Sequence, residues 1–299
     1  MIAPAARRVL LVYAKKSFMK RKLPSSVYLI LSADEYPFLG ELTGEMESMG
    51  ISVQKILPSE AGTYGYDKEG YIITDCNEGA EAARNNSTGY SAFCGEDDPK
   101  TGFWDAECII QGFDETDADF IIKMYERSRN IPWTILETER TIVRELVLDD
   151  IDDMYKLYAE PGMADYIPKL CESREEEVEF EKMYISSMYG FYGFGIWTIL
   201  DRETGKFIGR AGITNRDGYE DLEVGYMLSG KYQHRGIATE VMNAIIEYAR
   251  SKYGCERLNA FIDDENIVSV RFAERLGFKK CGTADIEDKG LGWYILTLS

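Results

Sequence analysis

Histidine is almost missing from this chain: His234 is the one copy among 299 residues. A catalytic triad or a metal site built on imidazoles is therefore disfavoured, since both need a histidine set against a nucleophile or further ligands. Cysteine offers no substitute. Cys76, Cys94, Cys108, Cys171, Cys255 and Cys281 are scattered, with no CxxC pair and no cysteine–histidine spacing that suits zinc. They read as reduced thiols of a cytoplasmic protein, and no metal is expected. No apolar run approaches the roughly 20 residues of a membrane span. Basic residues are also few, 34 against 52 acidic ones, for a net charge of −18. Nucleic acid as the main partner is disfavoured, because phosphate backbones need a basic face. A charge of this sign keeps a chain soluble and favours cationic partners.

The start of the chain is locally basic. Arg7, Arg8, Lys15, Lys16, Lys20, Arg21 and Lys22 surround the apolar Val9 to Tyr13 with no acidic residue between them, which predicts a basic amphipathic helical segment over residues 1–25. Its apolar stretch is too short for a signal peptide. From Ser26 the pattern changes. The short apolar runs VYLILS, ISVQKIL, YIITD, YSAFCG and ECIIQGF alternate with the helical stretches EYPFLGELTGEMESMG, NEGAEAARNN and DFIIKMYERSRN. Alternation of this kind predicts a small Rossmann-like parallel α/β domain over residues 26–133.

The segment YIITDCNEGAEAARNN, with Asp75 ending a strand, resembles the last acidic motif of haloacid-dehalogenase-like phosphatases. That family needs a DxD motif after an early strand, and the corresponding place here reads SADEY, with Asp34 alone. The resemblance thus implies a degenerate domain used for interaction or regulation, with a protein partner. Asp75 read without the resemblance is a cap for the following helix.

RNIPWTILETERTIVREL marks a boundary, because Pro132 interrupts the preceding helix and a new strand follows. Two helical stretches come next, LDDIDDMYKLYAEP and SREEEVEFEKMYISSMYG. GIWTIL and KFIGRAGIT are then strands joined by the hairpin signal DRETG. In the strand LEVGYML, Leu222, Val224, Tyr226 and Leu228 share one face and Glu223, Gly225 and Met227 the other. It runs into the glycine-containing turn QHRGIA and the helical TEVMNAIIEYARSKY. A strand, an amide-rich turn and a helix start form a phosphate cradle, since the first helical turn has unpaired N–H groups and the positive end of the peptide dipoles. An ordinary strand–helix connection is the plainer alternative.

Residues 134–299 are identified by resemblance as a member of the GNAT acyltransferase superfamily, in the branch of ribosomal-protein-alanine N-acetyltransferases. The resemblance rests on ETERTIVREL, GRAGI, LEVGYML, the turn Gln233 to Ala238, and ENIVSVRFAERLGF, in that order. It implies a mixed, mainly antiparallel sheet flanked by helices, with acetyl-CoA as co-substrate and an amine or peptide as acceptor. Amides of Arg235, Gly236, Ile237, Ala238 and Thr239 would face the pyrophosphate, with side-chain help from Gln233 and Arg235. Met227 and Leu228 would pair with the pantetheine, Asn266 would bond to it, and Ser269 would reach the sulfur.

Glu223 matches the family's general base, which accepts the proton an attacking ammonium must lose. Its alternative is to pair with a cation or orient substrate. Many relatives carry a tyrosine acid where this chain has Ala273, so the leaving thiolate is served by Ser269, by water or by no acid. The alternative for Asn266 and Ser269 is to start the helix as capping residues. Arg271 and His234 are expected at the surface or on phosphate. The acceptor is expected over Glu175, Glu176, Glu177 and Glu179, with Tyr189, Phe191, Tyr192 and Phe194 as walls. Direct transfer in a ternary complex is the expected activity, and an acyl-CoA-binding module without catalysis is the alternative.

Overall fold

The computed structural model describes residues 22–33, 35–95 and 102–298. Most of the basic segment expected over residues 1–25 lies outside them, as does Asp34. The chain forms two compact units that divide between Trp133 and Thr134. Among the described residues no helix is long and apolar enough to cross a membrane.

The first unit contains β1 (Ser26–Ile30), α1 (Leu39–Ser48), β2 (Ser52–Lys55), β3 (Gly70–Thr74), α2 (Asn77–Asn86), β4 (Tyr90–Phe93), β5 (Cys108–Ile110) and α3 (Ala118–Ser128). Every strand pair is parallel and the order is β2-β1-β3-β4-β5. The unbroken apolar runs of β1 and β3 follow from burial on both faces. Val27 and Leu29 pack with Leu42 and Met46 of α1 and Ile121 and Ile122 of α3, while Tyr28 and Ile30 pack with Ala80 and Ala83 of α2.

This is the flavodoxin-like strand order, whose reversal lies between β1 and β3. Asp75 follows β3 at that point, only 2% exposed, and accepts from Ser32 N at 2.7 Å, from Ser32 Oγ and from Tyr36 Oη at 2.5 Å. The N-cap of α2 is Cys76, which makes no side-chain cap bond.

The second unit contains β6 (Thr134–Glu137), β7 (Thr141–Arg144), α4 (Ile151–Tyr158), α5 (Arg174–Tyr184) with a π-helical continuation Ile185–Tyr192, β8 (Ile196–Asp201) and β9 (Phe207–Thr214). It continues with β10 (Glu223–Leu228), α6 (Ile237–Tyr253), β11 (Arg257–Ile262), α7 (Ile267–Arg275), β12 (Lys279–Ile286) and β13 (Lys289–Thr297). Eight strands run in the order β12-β13-β11-β10-β9-β8-β7-β6, antiparallel throughout except where β10 meets β11. The mixed, mainly antiparallel sheet is as the sequence implied.

The stretch after Pro132, read as one strand, is a hairpin of β6 and β7 with Arg140 just ahead of β7. Ile237, Val241, Ile245 and Ala249 recur along one face of α6 and bury against Trp197, Ile208, Val224 and Leu228 of the sheet. Each large aliphatic side chain buried there contributes about 1.5–3 kcal/mol.

Candidate active site

The single parallel contact in the second sheet is where the site forms. β10 and β11 register only at Glu223 and Asn259, fixed by Asn259 N donating to Leu222 O at 2.8 Å. Asn259 is itself held, its Nδ2 on Asp221 O and its Oδ1 on Trp293 Nε1, each at 2.9 Å. Beyond that pair no further register joins the two strands among the described residues, so they part while β10 stays paired to β9 from Glu223 to Leu228. Gly209 permits the close approach of β9: a Cβ there would stand 2.3 Å from Met227 O.

Backbone alternation decides which groups face the opening. Ser229 N donates to Ile208 O beside β9, whereas Leu222 O accepts from β11. Between these two anchors the register is unbroken, so the Val224 carbonyl, both backbone groups of Tyr226 and the Leu228 amide turn to the open edge, the Val224 amide completes the bridge to Asn259, and Met227 turns its own groups to Arg210. This corrects the expectation for Met227. Gln233 is corrected as well, because its Nε2 donates to Leu228 O at 2.8 Å and so ties down the strand end instead of reaching toward a phosphate.

The turn after β10 bends through two left-handed residues, His234 (φ 57°) and Gly236 (φ 78°), before α6 begins. The first helical bond in this turn is Glu240 N to Gly236 O, and among the described residues the amides of 234–239 donate to no protein acceptor. The backbone amides of Arg235, Gly236, Ile237, Ala238 and Thr239 are therefore gathered, unclaimed, at the start of α6. The Ile237 side chain is core, 6% exposed, and the Arg235 guanidinium lies 5.8 Å over the Tyr232 ring.

A brace missed by the sequence reading closes the turn from outside. Arg140 donates through its N and Nε to Glu240 at 2.9 and 2.6 Å, and through Nη1 to Arg235 O at 2.7 Å. Burial pushes the Glu240 carboxyl up, but bonds from Thr138 and Arg140 outweigh it and hold the group below its ordinary value.

At the other end of the opening, Asn266 is the N-cap of α7 and its Oδ1 accepts from Ser269 N at 3.1 Å. The capping alternative holds for that oxygen. The Tyr226 phenol lies beside Ser269, its ring packs on Phe272 at 4.6 Å, and burial pushes its pKa up. Ala273 is 5% exposed in the core and offers no donor. Tyr226 is thus a phenol beside Ser269, and only the period-2 pattern placing it on the α6 side hinted at it.

Glu223 opens β10 on the opposite face. Its Oε2 receives Arg216 Nε and Nη2, both at 2.8 Å, and Arg216 Nη1 reaches Glu287 Oε1 at 3.1 Å. Burial pushes the Glu223 carboxyl up, Arg216 pulls it down, Glu287 pushes it up, and the outcome is above the ordinary value. Such a carboxylate is a better proton acceptor than an exposed one. Tyr219, Phe261 and Trp293 pack on one another nearby in the fold, with ring centroids 4.7–6.5 Å apart.

The expected acceptor stretch is corrected. Glu177 is 1% exposed and accepts from Cys171 N at 2.7 Å. Tyr189 and Phe194 belong to the core, Tyr189 donating to Ile196 O at 2.6 Å. Glu175, Glu176, Glu179 and Tyr192 remain exposed, as do His234 and Arg271.

A sheet that splays beside a helix start rich in free amides, with a carboxylate on the same strand, suits an extended ligand that carries phosphate at one end. Residues 140–279, within the second unit, match the family model described as Acetyltransferase (GNAT) domain. Two similar proteins come from Bacillus subtilis. YkkB, uncharacterized, is 32% identical over 88 residues, 29% of this chain and 51% of that one, so the chain spans about half its length. YnaD, an uncharacterized N-acetyltransferase, is 27% identical over 152 residues, 49% of this chain and 86% of that one. An acetyltransferase structure from Agrobacterium tumefaciens is 25% identical and aligns with 55% of this chain and 94% of its own at a TM-score of 0.47.

Proposed function

We propose that the chain acetylates a primary amine, on a protein N-terminus or a small molecule, by direct transfer from acetyl-CoA in a ternary complex. The observation that carries this reading is the opening of β10 from β11 between the free amides of residues 234–239 and the carboxylate of Glu223. The cradle amides fit a pyrophosphate, with Arg140 fixing their direction. The Leu228 amide and both backbone groups of Tyr226 serve an extended pantetheine at the open edge, in the manner of an added strand, and Asn266 keeps its Nδ2 for the same arm.

Bound acetyl-CoA supplies the thioester carbonyl. Glu223 takes a proton from the acceptor ammonium, the freed amine forms the new C–N bond as the C–S bond breaks, and the Ser269 hydroxyl, water or no acid serves the departing thiolate. The first unit is read as an interaction or regulatory domain with a protein partner.

A second reading, acyl-CoA binding without transfer, draws support from the ion pair that occupies Glu223. One experiment separates the two. The purified chain is incubated with acetyl-CoA and a panel of amines and N-terminal peptides, and free thiol and acceptor mass are followed. Acetylated acceptor is expected, while tight acetyl-CoA binding with no product across the panel would favour the second reading.

A further inference from the structure

Arg216 divides one guanidinium between two carboxylates from distant parts of the chain. Nε and Nη2 fall on a single oxygen of Glu223, and Nη1 falls on Glu287. Oε1 of Glu223 is thereby left for a further donor. Glu287 is not loosely placed. It and Asp288 form a two-residue turn closing the β12–β13 hairpin, with Ile286 paired to Lys289. Both turn residues are left-handed, at φ 51° and 63°. Paired strands of matched twist favour this primed turn, but it is usually filled by Asn and Gly. Glu and Asp there carry backbone strain of the kind that gathers at functional positions.

We propose that Arg216 and Glu287 are positioning residues for the reaction: Glu287 draws the guanidinium partly off Glu223, so that the carboxylate meeting the acceptor amine is steadied by a shared cation and is not neutralised by a dedicated one. The inference rests on the reading of Glu223 as base. The charged groups facing Glu223 are Arg216 from the β9–β10 loop and Glu287 from the hairpin. Across the sheet its register neighbours are the uncharged Thr214 on β9 and Asn259 on β11.

Removing each partner has an opposite consequence. Without the Arg216 cation the base holds its proton more tightly. Without the Glu287 anion the cation settles fully on Glu223, which then gives up its proton more readily. Glu287 is largely exposed, with 72% of its side chain accessible, so its influence is also the one that salt should screen.

The test is the pH profile of kcat/KM for Arg216→Gln, Glu287→Gln and Glu223→Gln, all with one acceptor so that the acceptor's own titration is common to the set. CoA affinity and thermal melting are recorded for each variant to exclude misfolding. The acid limb should move to higher pH in R216Q and to lower pH in E287Q, the second shift shrinking in high salt. Limbs that stay in place or move together, with E223Q inactive, overturn the proposal and leave the base assignment standing. E223Q at the wild-type rate overturns both. If R216Q fails to fold, the downward shift in E287Q alone decides the matter.

Discussion

Arg140 and Glu240 stand 100 residues apart and meet at 2.6 Å across the start of the turn proposed to hold the coenzyme. One side of the pair belongs to the β6–β7 hairpin and the other to the first turn of α6. With Arg140 also on Arg235 O, the turn that aims the amides is fastened at both ends.

Arg140→Ala should weaken CoA binding about threefold to tenfold, roughly 1 kcal/mol for a partly exposed pair with one added hydrogen bond. Titration calorimetry with CoA checks this, and kcat at saturating acetyl-CoA should hold. The brace also has a pH sign. Glu240 is held below its ordinary value, so the brace contributes stability above the unfolded carboxylate range and loses it as pH falls through the lowered value. CoA binding should weaken over the same acid window, and less so in the Arg140 variant.

Gly236 adopts φ 78°, and a Cβ there would meet Arg140 Nη2 at 3.5 Å. The space is adequate but the backbone is not, since an L residue in this region costs about 1–2 kcal/mol. Gly236→Ala should lower the melting temperature and CoA affinity together. Unchanged affinity would mean that the turn relaxes without disturbing its amides.

Asn266 and Ser269 should separate by readout. Asn266→Ala removes a helix cap worth about 0.5–2 kcal/mol and should show in thermal melting. Ser269→Ala keeps the cap, because the donor there is its backbone N–H, and should reduce kcat with little change in melting. A kcat loss from Asn266→Ala at unchanged stability would reverse these roles.

Asp75 tests the first unit. Its carboxylate accepts from Ser32 and Tyr36 in a buried setting, and Asp75→Asn exchanges an acceptor for a donor among donors. A stability loss of about 1–3 kcal/mol is expected in denaturant unfolding. Magnesium-dependent release of phosphate from a model ester, abolished by the same substitution, would instead establish phosphatase chemistry in this unit.

The strand, glycine turn and helix start of the proposed cradle were legible in the sequence because they are local and need no distant residue to be recognised. The alternation of strands and helices in the first unit was legible for the same reason. What could not be read was tertiary. Arg140, and the sharing of Arg216 by Glu223 and Glu287, depend on segments that only the folded sheet brings together. Met227 was misassigned because side-chain alternation tells which face a residue occupies and not which edge its amide serves. Tyr189 and Phe194 looked like pocket walls because an aromatic run reads the same in a wall and in a core.

The central claim is that Glu223 removes a proton from an acceptor amine beside a held thioester. Steady-state turnover of Glu223→Gln, paired with calorimetric CoA binding by the same protein, tests it most directly. The account predicts a fall in kcat/KM of about 10²–10⁴-fold at neutral pH with CoA affinity unchanged. Wild-type turnover in that variant, with CoA still bound, would contradict it.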